Sequence, residues 1–225
     1  MKLLIGNRNY STWSLRPWLV LRHFGIDFED EVLQLSGDGW RDVLARRSPT
    51  GMVPVLIDGD LVLPETIAII EYLADRFPEK AIWPQDLSDR ALARAASAEM
   101  HAGFSTLRNL APMNLRASHP GRVDLDAVRK DLQRVETLWG ELLQRSGGPY
   151  LFGEFSAADA MFAPLATRLR TYDLPASDTA SAYVEAIYSL PAFQEWLTLA
   201  LREPWIVDKD EIDVIQGRVA PGTLA

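Results

Sequence analysis

"GMVPVLIDGDLVLPETIAIIEYLADRF", residues 51–77, sets two short apolar runs on either side of an Asp-Gly-Asp turn and then passes into a helical pattern. The runs at 55–57 and 61–63 read as a β-hairpin closed by that turn. Pro54 stands at the start of the first strand, where a missing amide proton is tolerated, and Pro64 punctuates the end of the second. Glu65 and Thr66 then lead into a helix whose Ile69, Ile70, Leu73 and Phe77 form one apolar stripe.

Upstream, residues 2–6 predict a short buried strand and residues 14–24 a helix stopped by Gly25. Alternation over 29–35 predicts a second strand before the turn "SGDG" at 36–39, and a short helical piece follows. The order is strand, helix, strand, helix, hairpin, helix. In "NRNYSTWSLRPWLVL", residues 7–21, a polar knot interrupts the apolar start, so the stretch reads as part of the folded body and not as a secretory leader.

Downstream, strand patterns fade. "FPEKAIWPQDLSD", residues 77–89, carries Pro78 and Pro84 and reads as a link. Residues 92–115 are helical in pattern, with Gly103 and Pro112 as loosening points. Leu125, Val128, Leu132, Val135, Trp139 and Leu142, three and four apart, predict a long amphipathic helix. Ser156 and Asp159 match a capping box, a structural role, at the start of another helix. Helical pieces at 181–188 and 192–201 are bounded by Pro191 and Pro204. In the tail "GRVAPGTLA", Gly217, Pro221 and Gly222 resist regular structure. The expected organisation is an α/β domain over 1–79, a linker over 80–88 and an all-α domain over 89–225.

Composition narrows the function. A formal charge of −8 disfavours a general nucleic-acid binder, which needs a concentrated positive surface. The pairs Arg46/Arg47 and Arg168/Arg170 read as solvated helix faces. No apolar run approaches the roughly 18 residues of a membrane span, and the absence of cysteine removes disulfides, thiol nucleophiles and thiolate metal sites while agreeing with a cytoplasmic location. His23, His101 and His119 lack metal-ligand spacing, and neither a phosphate loop nor a Gly-rich dinucleotide fingerprint is present.

Ser11 in the first loop, "MVPVL" before the hairpin, "PET" before a helix and the later Ser156/Asp159 cap together resemble a cytosolic glutathione transferase, over nearly the whole chain. The resemblance implies a thioredoxin-like domain followed by a helical domain, a homodimer, glutathione as co-substrate and no metal. The opening is similar to the serine-using zeta, or maleylacetoacetate-isomerase-like, branch, whose first loop carries Ser-Ser-Cys. Aligning Arg16 with the arginine after that loop lays Ser11, Thr12 and Trp13 over the motif, with Trp13 in place of the cysteine. Ser11 is then the catalytic hydroxyl that stabilises the glutathione thiolate, and Tyr10 is its rival.

The same resemblance implies a cis Pro54, backbone contacts to glutathione from Val53, and a grip on the γ-glutamyl end by Glu65 and Thr66. An ordinary helix cap is the plain reading of that last pair, and with the resemblance the pair takes both roles together. Trp13, Met100, Phe104, Leu107 and Met113 are candidates for the second-substrate wall, and each serves equally as core. Arg108 or Arg116 is a candidate for attracting an anionic substrate, with a surface position as the alternative. The function implied is glutathione transfer to a small, partly apolar electrophile; the alternatives are glutathione-dependent cis-trans isomerisation and a non-enzymatic binding protein on the same scaffold.

Overall fold

The computed structural model describes residues 1–220; Pro221 and Gly222 of the tail lie outside the described residues. The first half consists of β1 (Lys2–Ile5), α1 (Thr12–His23), β2 (Glu29–Val32), α2 (Trp40–Arg47), β3 (Val55–Asp58), β4 (Leu61–Pro64) and α3 (Thr66–Arg76). The sheet order is β2-β1-β3-β4, with β1 parallel to β2 and antiparallel to β3, and the hairpin pairs β3 with β4. Strand residues alternate between faces. Leu3, Ile5 and Leu56 join the main core with Leu15 and Leu19 of α1 and Ile69 and Ile70 of α3, while Leu4 and Val55 meet Leu44 of α2. The second strand is shorter than its pattern, ending at Val32, because Leu35 is carried away on a backbone bond to the Asn7 side chain.

The second half is helical: α4 (Leu87–Ala102), α5 (Ser105–Leu110), α6 (Leu125–Ser146), α7 (Ala157–Tyr172), α8 (Asp178–Ser189), α9 (Pro191–Arg202) and α10 (Ile212–Ile215). The single helical pattern over 92–115 is two helices, broken where Gly103 turns extended and Phe104 adopts φ 55°. The capping box at α7 is formed: Asp159 Oδ2 accepts from Ser156 N at 2.9 Å and Ser156 Oγ accepts from Ala158 N at 3.3 Å. Asp159 also accepts from Leu151 N and from the Tyr183 hydroxyl, so the cap ties α7 to the preceding loop and to α8. Helix α7 is buried nearly all round and packs against both α1 and α4, which makes it the axis joining the two halves.

Pro17 sits inside α1. Without an N–H it cannot bond the carbonyl four residues back, that of Trp13. The Thr66 hydroxyl takes the vacated acceptor, donating to Trp13 O at 2.9 Å, and so fastens the start of α3 to the start of α1.

Candidate active site

The loop between β1 and α1 is wound by Asn7, whose carbonyl accepts from Tyr10 N at 3.1 Å and Ser11 N at 2.8 Å. Ser11 is the residue before α1 and makes no side-chain cap. Its hydroxyl donates to Ser14 Oγ at 2.7 Å, and Ser14 Oγ also accepts from Gly6 N at 3.1 Å. A Cβ on Gly6 would come within 3.2 Å of Ser11 Oγ and 2.5 Å of Leu35 Cδ1, so a larger residue there would have to displace the Leu35 side chain and crowd the Ser11 hydroxyl. The first-turn N–H groups of α1 lack intrahelical partners and give the Ser11 end of the helix a positive potential.

Ser11 lies on a cleft of about 290 Å³ between the two halves, lined also by Tyr10, Trp13, Trp40, Val53, Met113, Arg108 and Arg168. Tyr10 shares this wall, but its hydroxyl is committed: it donates to Glu211 Oε1 at 2.5 Å and accepts from Arg116 Nη2 at 3.0 Å. Burial, and then the Glu211 carboxylate, push its pKa up to about 12. Arg116 spends the rest of its guanidinium on the carbonyls of Glu203 and Trp205, so it anchors the C-terminal segment and lies off the cleft wall.

The Val53–Pro54 peptide is cis, and Val53 reaches the cleft with Pro54 buried behind it. Among the described residues the Val53 amide and carbonyl enter no turn or loop backbone bond. Glu65 precedes α3 with φ 80° and ψ 125°, a positive-φ backbone that costs a side-chain-bearing residue about 1–3 kcal/mol. Neither Glu65 nor Thr66 caps α3 by its side chain, which corrects the ordinary-cap reading. Thr66 is fully buried, its hydroxyl proton is used on Trp13, and it lines neither the cleft nor the neighbouring groove. The Glu65 carboxylate opens toward the neighbouring groove, 3.9 Å from His101 Nδ1.

The candidates for the second-substrate wall divide. Trp13 and Met113 line the cleft. Met100, Phe104 and Leu107 do not: they are core, because their faces of α4 and α5 turn toward α6 and α7, where Phe104 meets the Phe162 ring at 6.4 Å. Of the two arginine candidates, Arg108 lines the cleft.

Sequence reasoning missed Arg168 and Arg16. Arg168 is only 4% exposed and faces the cleft from α7, bonding the carbonyls of Ala111 and Pro164 at 2.7 Å each, which corrects its reading as a solvated residue. Burial, and next the nearby Arg108, pull its pKa down to about 10. Arg16 is buried beneath Trp13 and donates to Met161 O at 2.9 Å. The usable signal was the apolar surround: an arginine inside a helix apolar on every side cannot be solvated.

A hydroxyl beside a helix N-terminus, a free backbone edge and two cationic side chains make a cleft suited to an anionic nucleophile and a polar co-substrate. Residues 10–76 match the glutathione S-transferase N-terminal domain and residues 91–198 the glutathione S-transferase C-terminal domain. The chain is 32% identical to glutathione S-transferase 1 of Dianthus caryophyllus, over 73% of this chain and 75% of that one. It is 29% identical to a maleylacetoacetate isomerase of Rattus norvegicus, over 83% and 87% of the two chains. A glutathione transferase homologue from Burkholderia GL BGR1, solved with bound glutathione, superposes with a TM-score of 0.69 at 25% identity, covering 88% of this chain and 96% of the other. The chain belongs to the glutathione S-transferase family. No helix among the described residues is long and apolar enough to cross a membrane, and none of their side chains cluster as a metal site.

Proposed function

We propose that this protein binds glutathione in the cleft, stabilises its thiolate with the Ser11 hydroxyl and directs that thiolate at a small electrophile. The observation that carries the reading is the position of Ser11 at the start of α1, on the cleft, with a single mobile proton now given to Ser14. When a sulfur anion arrives, the pair reverses: Ser14 donates to Ser11 and Ser11 to sulfur, a chain in which each bond polarises the next. A thiol with a pKa of about 8.5 needs about 2.7 kcal/mol of preferential thiolate stabilisation to fall by two units. One charge-assisted hydroxyl bond and the helix N-terminus suffice in scale. Serine serves here as donor and not as base.

Val53 would pair its backbone with the tripeptide and Glu65 would attract the ammonium, while a Thr66 N–H contact to the γ-glutamyl carboxylate would require that buried group to be uncovered. An enzyme fits better than a bare scaffold, since the cleft is lined by groups whose burial would be costly without a ligand to meet.

Arg108 and Arg168 favour a second substrate that carries negative charge. This observation also supports a second reading, cis-trans isomerisation of an anionic unsaturated substrate by reversible thiolate addition, and it agrees with the isomerase named among the relatives. Trp13, standing where that branch has cysteine, favours general transfer. A homodimer is proposed from membership of the family. The test is a structure with glutathione bound: sulfur within hydrogen-bond reach of Ser11 Oγ is the expected result, and sulfur remote from it in a competent enzyme would sink the reading.

A further inference from the structure

Three arginines converge on one indole. The Arg16 guanidinium carbon lies 4.2 Å from the centre of the Trp13 ring and that of Arg108 4.9 Å. Arg168 stands close enough to affect both electrostatically. Such a group of like charges ordinarily needs carboxylates. Here the hydrogen bonds of all three go to backbone carbonyls, and among the described residues none is in an ion pair with a carboxylate: Glu65 acts on Arg16, and Asp210 of the cleft lining on Arg168, only at longer range. For Arg108 the carbonyls are those of His101 and Gly103, at 3.2 and 3.1 Å, where α4 ends and its dipole is negative. Burial lowers the Arg108 pKa, with no acidic group acting in the opposite direction.

We infer that Trp13 is a positioning residue: its indole face holds the Arg108 guanidinium at the cleft wall in place of a counter-ion, leaving that charge unneutralised for an anionic group on the second substrate. A carboxylate in the same place would hold the arginine equally well and cancel its field. The face of a neutral ring attracts the cation through its quadrupole and cancels nothing. Trp13 is fixed for this task at both ends, its carbonyl by the Thr66 hydroxyl at 2.9 Å and its ring by the His101 imidazole at 5.0 Å. Only an aromatic residue at position 13 meets the requirement, and tryptophan best. The inference rests on the reading above, in which the cleft takes a glutathione conjugate with an anionic second half.

The experiment compares the affinities, by titration calorimetry, of the intact protein for two probes: S-(4-carboxy-2,6-dinitrophenyl)glutathione and its uncharged 4-carboxamide counterpart. Wild type is expected to prefer the carboxylate, and Arg108→Gln to lose most of that preference. Trp13→Leu is expected to reduce the preference about tenfold, Trp13→Phe to retain most of it, and Trp13→Leu to have no further effect on it when Arg108 is already glutamine. Trp13→Met, which has bulk without a ring, takes the place of the leucine variant if that one does not fold. A wild-type preference surviving in Trp13→Leu, or an equal loss of affinity for both probes, overturns the role of Trp13 and leaves the anionic reading intact. Absence of any carboxylate preference in wild type overturns the anionic reading and the inference with it.

Discussion

The Thr66 hydroxyl donates to the Trp13 carbonyl at 2.9 Å, replacing the helix bond that Pro17 cannot make. Because Thr66 is fully buried, Thr66→Val keeps the shape and strands the carbonyl. The expected loss of stability is about 1–3 kcal/mol, read from urea unfolding. In a Pro17→Ala background the helix regains its own donor, and the same substitution is expected to cost clearly less. Equal costs in the two backgrounds would show that the bond does not complete the helix.

Tyr10 is assigned to the fold. Its hydroxyl joins Glu211 and Arg116, and its pKa is raised to about 12, so the folded state holds the phenolic proton more tightly than the unfolded chain. The contribution is fully present below about pH 10 and is lost as pH rises through about 12. Tyr10→Phe is expected to cost about 1.5–3 kcal/mol through the lost bond to a charged partner. Its turnover per folded molecule with glutathione should stay within about twofold of wild type. A collapse of turnover without loss of stability would move the catalytic hydroxyl from Ser11 to Tyr10.

Asp159 is fully buried, and desolvation raises its pKa to about 6 although four donors address it. Between the unfolded value of about 3.9 and the folded value, the folded state keeps a proton that the unfolded chain has released. Its contribution is therefore most favourable at low pH and falls as pH rises through about 4 to 6. Stability of wild type minus that of Asp159→Asn should slope downward across this window, and a flat difference would contradict the shift. Asp159→Ala strands the N–H groups of Leu151 and Ser156 and should cost about 3 kcal/mol at neutral pH.

The hairpin and α3 were legible because two short apolar runs, an Asp-Gly-Asp turn and a helical stripe each leave local marks, and β3, β4 and α3 fall where those marks lie. The capping box at Ser156 was legible for the same reason: its partners are three residues apart. The single helix read across 92–115 divides at Phe104, whose left-handed backbone has no signature in a phenylalanine. Met100, Phe104 and Leu107 were indistinguishable from cleft residues, since an apolar side chain looks alike whether it faces core or substrate. The commitments of Tyr10 and Arg116 depend on residues about a hundred and two hundred positions away, beyond the reach of any local pattern. The Arg16–Trp13–Arg108 stack is legible only in part, as the spacing of Trp13 and Arg16 by three on one helix.

The measurement that bears most directly on the proposed chemistry is the pKa of the glutathione thiol in the bound state, followed by thiolate absorbance in wild type, Ser11→Ala and Tyr10→Phe. The account predicts a wild-type value at least about one unit below the free thiol's, a return toward the free value in Ser11→Ala, and no change in Tyr10→Phe. A Ser11→Ala protein that ionises bound glutathione as wild type does would contradict it.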